Sequence, residues 1–222
     1  MIILDESCNS LVETVQTLAD VRVFRRSGGY LSDVRRAVEE LKRLCSAPEN
    51  APPCIIVAAS FGGFAALLLA AEHRELLEGL ILLDPSHPQQ GPAVLRALQP
   101  LGADVAPAIA EFRTFITGFG RVWEEGCRDV SRIDTLGDLP LVVLAAGNPE
   151  APAEIPAEIY QTLVVDRHAM LSAYAQLSTR GQFRVVPGVG HEVGKHAPHV
   201  VRAAIFEMLK ASGSPGVRSD SG

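Results

Sequence analysis

Basic charge is scarce in this 222-residue chain: 20 lysines and arginines stand against 26 acidic residues, for a formal charge of −6 at pH 7. No basic stripe is available to neutralise phosphates, so a nucleic-acid or other polyanion partner is not expected. Long apolar runs are missing too. The longest, at residues 54–59 and 64–71, are separated by Ser60-Phe61-Gly62-Gly63, and neither approaches the roughly 20 residues of a bilayer-spanning helix. The opening Met1-Ile2-Ile3-Leu4-Asp5 has no basic segment and no small-residue cleavage pattern. No signal peptide and no membrane partner are therefore expected, and the expected location is cytoplasmic. Four cysteines (Cys8, Cys45, Cys54, Cys127) are scattered without CxxC or Cys/His spacing, which argues against a disulfide framework or a metal site and makes each a small buried hydrophobe. No cofactor is implied, which leaves a small molecule as the expected partner.

What the chain contains is ordinary globular material. Its 47% hydrophobic and 21% charged residues suffice for one α/β domain over residues 1–211, followed by a Ser/Gly-rich tail at 212–222 expected to be disordered. Apolar runs at 2–4, 21–24, 54–59, 79–83, 141–146 and 183–186 read as strands, and the continuous ones suit parallel strands buried on both faces. Between them, helical spacing links Leu11, Val15 and Leu18, and then Val34, Val38, Leu41 and Leu44 behind Ser32 and an acidic first turn at Asp33. Further helices are expected to about His73, over 157–178 and over 198–210. The alternation predicts an α/β fold: a single doubly wound, mostly parallel sheet of about six strands flanked by helices. Pro88, Pro92, Pro100 and Pro107 break up residues 86–138, which read as a small helical lid inserted over one edge of the sheet.

The chemistry concentrates at two junctions. Ala58-Ala59-Ser60-Phe61-Gly62-Gly63 lies where a buried strand meets a helix. A turn that tight strains its central residue, and small residues two before and two after it, Ala58 and Gly62, keep strand and helix from colliding. Ser60 would project a nucleophilic hydroxyl above the sheet. The helix starting at Phe61 would aim its first backbone N–H groups, that of Phe61 foremost, at an oxyanion. On the plainer reading Ser60 only caps the helix. The second junction, Val185-Val186-Pro187-Gly188-Val189-Gly190-His191, delivers His191 from a Gly-punctuated loop ahead of the last helix. An ordinary pKa of about 6.5 suits histidine to proton relay near neutrality. His196 and His199, past the loop, read as surface residues.

This order of strand–serine–helix, strand–aspartate, insertion, strand, helix and strand–histidine–helix resembles the α/β-hydrolase fold over nearly the whole chain. Residues 58–63 resemble its nucleophile elbow, Gly190-His191 its Gly-His loop, and residues 1–32 the stretch carrying its third strand, oxyanion loop and fourth strand. The resemblance implies a short form lacking the first two edge strands, with an exposed edge near residues 2–4 that a partner subunit, as in a homodimer, would cover. It also implies a serine hydrolase or acyl-transfer enzyme acting on a small ester, lactone or thioester, with Ser60 as nucleophile, His191 as base and the Phe61 N–H as oxyanion donor. Two positions compete for the acid. Asp84 in Leu82-Leu83-Asp84-Pro85, 24 residues after Ser60, matches a minority of the family that includes many haloalkane dehalogenases. Glu150 follows the penultimate strand, the commoner place. Asp84 is favoured.

The sequence also departs from the family pattern. Ala59 replaces a frequent histidine, and Asp5-Glu6-Ser7-Cys8-Asn9 replaces the His-Gly pair. A second oxyanion donor is therefore sought at the backbone of Ser7 or Cys8, with Asp5 and Glu6 expected to point away. Arg25-Arg26-Ser27-Gly28-Gly29 resembles the Asp-Arg-x-Gly-x-Gly turn with its Asp replaced. His87 is expected to line the site at most, and His168, in a helix with Met170 and Leu171, to take a core or surface position rather than a catalytic one. Trp123 is expected to contact substrate or anchor the lid, over an apolar pocket. A cyclase or lyase without an acyl-enzyme, and a non-catalytic binding protein on the same fold, are the competing functions.

Overall fold

The computed structural model describes residues 1–28, 33–47, 53–99, 106–148 and 155–211. Six strands, β1 (Ile2–Asp5), β2 (Val21–Phe24), β3 (Cys54–Ala59), β4 (Leu77–Leu83), β5 (Leu141–Ala146) and β6 (Gly181–Val186), form one sheet in the order β2-β1-β3-β4-β5-β6. Every pairing among them is parallel.

Alternate side chains of each strand feed opposite faces, as the pleat requires. Ile2, Leu4, Ile55, Val57, Ile81 and Leu83 join one apolar cluster with α1 (Val12–Val15) and α8 (Pro198–Ala211). Ile3, Ile56, Leu80 and Leu82 join the other, beneath α2 (Val34–Ser46), α3 (Gly62–Glu72) and α6 (Ala157–Gln176). The central runs are apolar throughout because both of their faces are covered.

β1 is not the edge that the sequence suggested. It pairs with β2 on one side and β3 on the other, and Ile2, Ile3 and Leu4 are fully buried. The chain leaves β1 through α1 on one face to reach β2, then returns through α2 on the opposite face to β3. That reversal puts the topological switch point between β1 and β3, where open α/β sheets bind their ligands. β2 is the edge instead, and Arg22 sits exposed on it. The apolar argument for a partner at residues 2–4 thereby disappears.

Asp33 is the cap of α2 and not a first-turn acid, because its carboxylate accepts the N–H groups of Arg35 and Arg36 at 2.7 and 3.1 Å. Ser32 lies outside the described residues, as do Gly29, Glu150 and the tail at 212–222. Between β4 and β5 the chain forms α4 (Gln90–Leu98) and α5 (Ala106–Val130), the latter broken at Gly120, where φ is 50° and ψ −138°. Beyond that break α5 seats on α3, with Trp123 stacked on Phe61 at 6.0 Å and close to Phe64 at 5.6 Å, and with Gly126 leaving no room for a Cβ beside the Phe64 ring. Large aromatic area is buried there against a helix of small residues.

Among the described residues no helix is long and apolar enough to cross a membrane. Cys8, Cys45 and Cys54 are buried free thiols and Cys127 is half-buried. Burial and the Asp5 carboxylate push the Cys8 thiol up to about 12, so it remains protonated.

Candidate active site

Ser60 follows the last residue of β3 with φ at 49°, a left-handed conformation that a non-glycine residue rarely takes. Three backbone hydrogen bonds hold it there. Its N–H donates to the Leu83 carbonyl at 3.1 Å, and its own carbonyl accepts from Gly63 at 3.1 Å and Ser86 at 3.0 Å. Strain of this kind, about 1 to 3 kcal/mol, persists only where the surroundings over-determine it. Phe61 then turns directly into helical geometry ahead of α3. Gly62 and Gly63 let the helix start close to its neighbours: a Cβ on Gly62 would meet Arg26 Nη2 at 2.7 Å and Asp5 Cγ at 2.8 Å, and one on Gly63 would meet Pro85 Cβ at 3.1 Å.

Asp84, one strand over, repeats the device. Its φ is 41°, and its N–H donates to the Leu144 carbonyl at 2.7 Å. The side chain is 1% exposed and fully engaged: Oδ1 accepts the Ala146 N–H at 3.1 Å and Oδ2 meets His191 Nδ1 at 2.6 Å. A carboxylate only accepts, so Nδ1 carries the proton and Nε2 is the nitrogen with the lone pair. The bond joins the end of β4 to the loop after β6, which is tied down where the carbonyls of Val186, at the end of β6, and of Val189, in the loop, accept the N–H groups of Gly147 and Asn148 at 3.0 Å each. Among the described residues no hydrogen bond joins the Ser60 hydroxyl to the His191 ring, and the ring is 55% exposed.

Arg167 of α6, which the sequence reading did not single out, completes the carboxylate's shell. Its Nη2 lies 2.6 Å from Asp84 Oδ2 and its Nε 3.2 Å from Oδ1, a two-pronged contact. Burial pushes the Asp84 carboxyl up, but the His191 hydrogen bond and the Arg167 charge outweigh it and hold the carboxyl below its ordinary range. The only sequence signal was a charge on a helix face, 83 residues from its partner.

Asp5 and Glu6 were expected to point away from the elbow. Asp5 points in: it is 4% exposed and abuts the start of α3. A buried carboxylate needs a countercharge, and Arg26 supplies one at 2.7 Å while lying 5.9 Å from the centre of the Phe61 ring. Of the two arginines in the Arg25-Arg26 turn, the second is therefore the structural one. Removing one partner of a buried pair strands the other, so Arg26→Met is expected to destabilise the fold by about 3 to 5 kcal/mol, read as a lowered urea midpoint. The Ser7 N–H, one candidate second oxyanion donor, is already taken by Asp5 Oδ1 at 3.2 Å.

The remaining histidines separate cleanly. His87 packs on Tyr174 with ring centres 4.9 Å apart, its Nδ1 accepts the Gln89 N–H at 3.2 Å, and burial together with the Arg167 charge pushes it down to about 4. His168 lies 2.9 Å from the Ala146 carbonyl through Nε2 and edges onto Phe183, a structural post at the end of β5. His196 and His199 are exposed. A cavity of about 290 Å³ opens beside the ends of β1 and β2, lined by Glu6, Ser7, Asn9, Val23 and Arg25. Four of its five lining residues are polar or charged, and away from it Trp123, Phe61 and Phe64 pack together between α5 and α3. Among the described residues no cluster of side chains could hold a metal ion.

The model of the alpha/beta hydrolase family matches residues 16–206. The chain belongs to the alpha/beta hydrolase family. Similar folds include a probable hydrolytic enzyme from Pseudomonas aeruginosa PAO1, 17% identical, with a TM-score of 0.60 over 94% of this chain and 84% of that one. A thermophilic esterase from Thermogutta terrifontis is 18% identical, with a TM-score of 0.52 over 95% and 89% of the respective chains. An epoxide hydrolase is 15% identical, with a TM-score of 0.53 over 95% and 90%. Likeness at these identities is likeness of fold. No curated protein matches. In this member of the family the strained turn at Ser60 follows β3, and His191 follows β6.

Proposed function

We propose that this hydrolase cleaves an ester, lactone or thioester of a small organic molecule through a triad of Ser60, His191 and Asp84. The observation that carries the reading is the 2.6 Å contact between His191 Nδ1 and the buried Asp84 carboxylate, on the strand next to a serine strained at φ 49°. His191 Nε2 takes the hydroxyl proton as Ser60 Oγ bonds to the substrate carbonyl carbon, and the N–H of Phe61 receives the oxyanion. Collapse of the tetrahedral adduct breaks the bond to the leaving group, which departs with the proton from Nε2. Water then repeats the sequence on the acyl-enzyme, releases the acid and restores Ser60. Asp84 holds the ring in one tautomer and stabilises the imidazolium. α4 and α5 act as the lid over this crevice. A fluorophosphonate should label Ser60 in the folded protein, with fluoride leaving as the Oγ–phosphorus bond forms. Mass spectrometry showing an unmodified Ser60 peptide after prolonged exposure would sink the reading.

A further inference from the structure

We infer that Arg167 is a positioning residue of this site: it clamps Asp84 in its hydrogen bond to His191 and lowers the basicity of that histidine. The inference rests on the triad reading for its effect on rate, and on geometry alone for its effect on the ring. Arg167 Nη2 and His191 Nδ1 each lie 2.6 Å from the same oxygen, Asp84 Oδ2. A carboxylate shared with a permanent cation has less negative charge to offer an imidazolium, and the cation itself repels the protonated ring. Arg167 is well placed to act in this way, since its side chain is only 14% exposed and so is weakly screened. Its second prong, Nε to Oδ1 at 3.2 Å, fixes the carboxylate plane, which the Ala146 N–H alone would leave free to swing.

Among the described residues, several other ionisable groups flank the pair. His87, on the loop after β4, stays neutral with its ring nitrogen committed to Gln89. His168 and Tyr160 share α6 with Arg167, His168 facing the Ala146 carbonyl. Beyond His191, Glu192 is paired with Lys195 at 3.0 Å in solvent, and His196 follows on the same short helical turn. Among these, Arg167 is the one cation in contact with the Asp84 carboxylate.

The test reads the ring directly. In the intact protein, the His191 imidazole is titrated by NMR, its signal assigned by its loss in H191Q, alongside the pH profile of turnover of a chromogenic ester. Arg167→Met should raise the His191 midpoint by about one pH unit and move the acid limb of kcat/KM up with it. Arg167→Lys keeps the charge and loses the fork. Its midpoint should stay near the wild-type value while kcat falls about tenfold with KM little changed. A Met variant with an unmoved midpoint overturns the electrostatic role, and a Lys variant with full kcat overturns the clamp. Arg167→Lys supplies a test even should Arg167→Met fail to fold. A midpoint that moves as stated in a protein whose Ser60 no fluorophosphonate labels would remove the hydrolytic reading and leave the influence of Arg167 on His191 standing. Labelling with an unmoved midpoint would do the reverse.

Discussion

Ser60→Ala is expected to reduce ester turnover by about 10³- to 10⁶-fold, to abolish fluorophosphonate capture, and to leave the fold intact. The loss is large because the variant has no atom to form the acyl bond, while whatever binding and oxyanion stabilisation the elbow provides remains. The fold should be indifferent because the strain at position 60 belongs to its backbone. Alanine is no more at ease at φ 49° than serine, and the three hydrogen bonds that hold the residue are all made by main-chain groups. Glycine would differ, since it takes this conformation freely, so Ser60→Gly should be equally inactive yet no less stable than wild type. Thermal melts of the two variants beside their kcat values separate the chemical role from the structural one. Undiminished turnover in Ser60→Ala would instead favour a cyclase or lyase that uses the same pocket without an acyl-enzyme.

The second large effect falls on Asp84. Asp84→Asn should lower kcat by about 10⁴-fold, because an amide offers His191 and Arg167 one acceptor where the carboxylate offered two and no longer fixes the ring tautomer. It should also destabilise the fold by about 3 kcal/mol near neutral pH by leaving Arg167 without its countercharge. The pH dependence follows from the lowered carboxyl. Folding favours the ionised form, so the contribution of Asp84 is complete above its unfolded value of about 3.9 and is lost as the pH falls through its lower folded-state value. Wild-type melting temperatures should therefore drop more steeply below about pH 4 than those of Asp84→Asn. Parallel acid limbs in the two proteins would remove Asp84 as the source.

The central strands were legible in the sequence because a parallel strand covered on both faces has no polar positions, and β3, β4 and β5 are apolar almost throughout. The elbow was legible because its small residues stand consecutively around Ser60 between an apolar strand and a helix, although the neighbours that require Gly62 and Gly63, namely Asp5, Arg26 and Pro85, are distant in the chain. What escaped depends on where the chain turns back. Nothing in residues 2–4 says that β2 will lie outside β1, and the edge was accordingly misplaced. Asp5 was expected to face away because a carboxylate near an oxyanion is unfavourable. Its countercharge, Arg26, is 21 residues distant and becomes a neighbour only once β1 and β2 pair. Arg167 escaped for the same reason, as its helix looks like any solvent-facing helix until α6 packs on β5 and β6 and its arginine reaches Asp84 beyond β4.

Trp123 is the only tryptophan in the chain, and its indole stacks on Phe61, the residue next to Ser60, with the two ring planes within 19° of parallel. All of the protein's tryptophan fluorescence therefore originates one side chain away from the proposed nucleophile. An adduct on Ser60 that displaces Phe61 changes the surroundings of that indole, so the emission spectrum becomes a built-in optical gauge of site occupancy. Stopped-flow fluorescence could follow acylation and deacylation in the unlabelled protein with substrates that have no chromophore of their own.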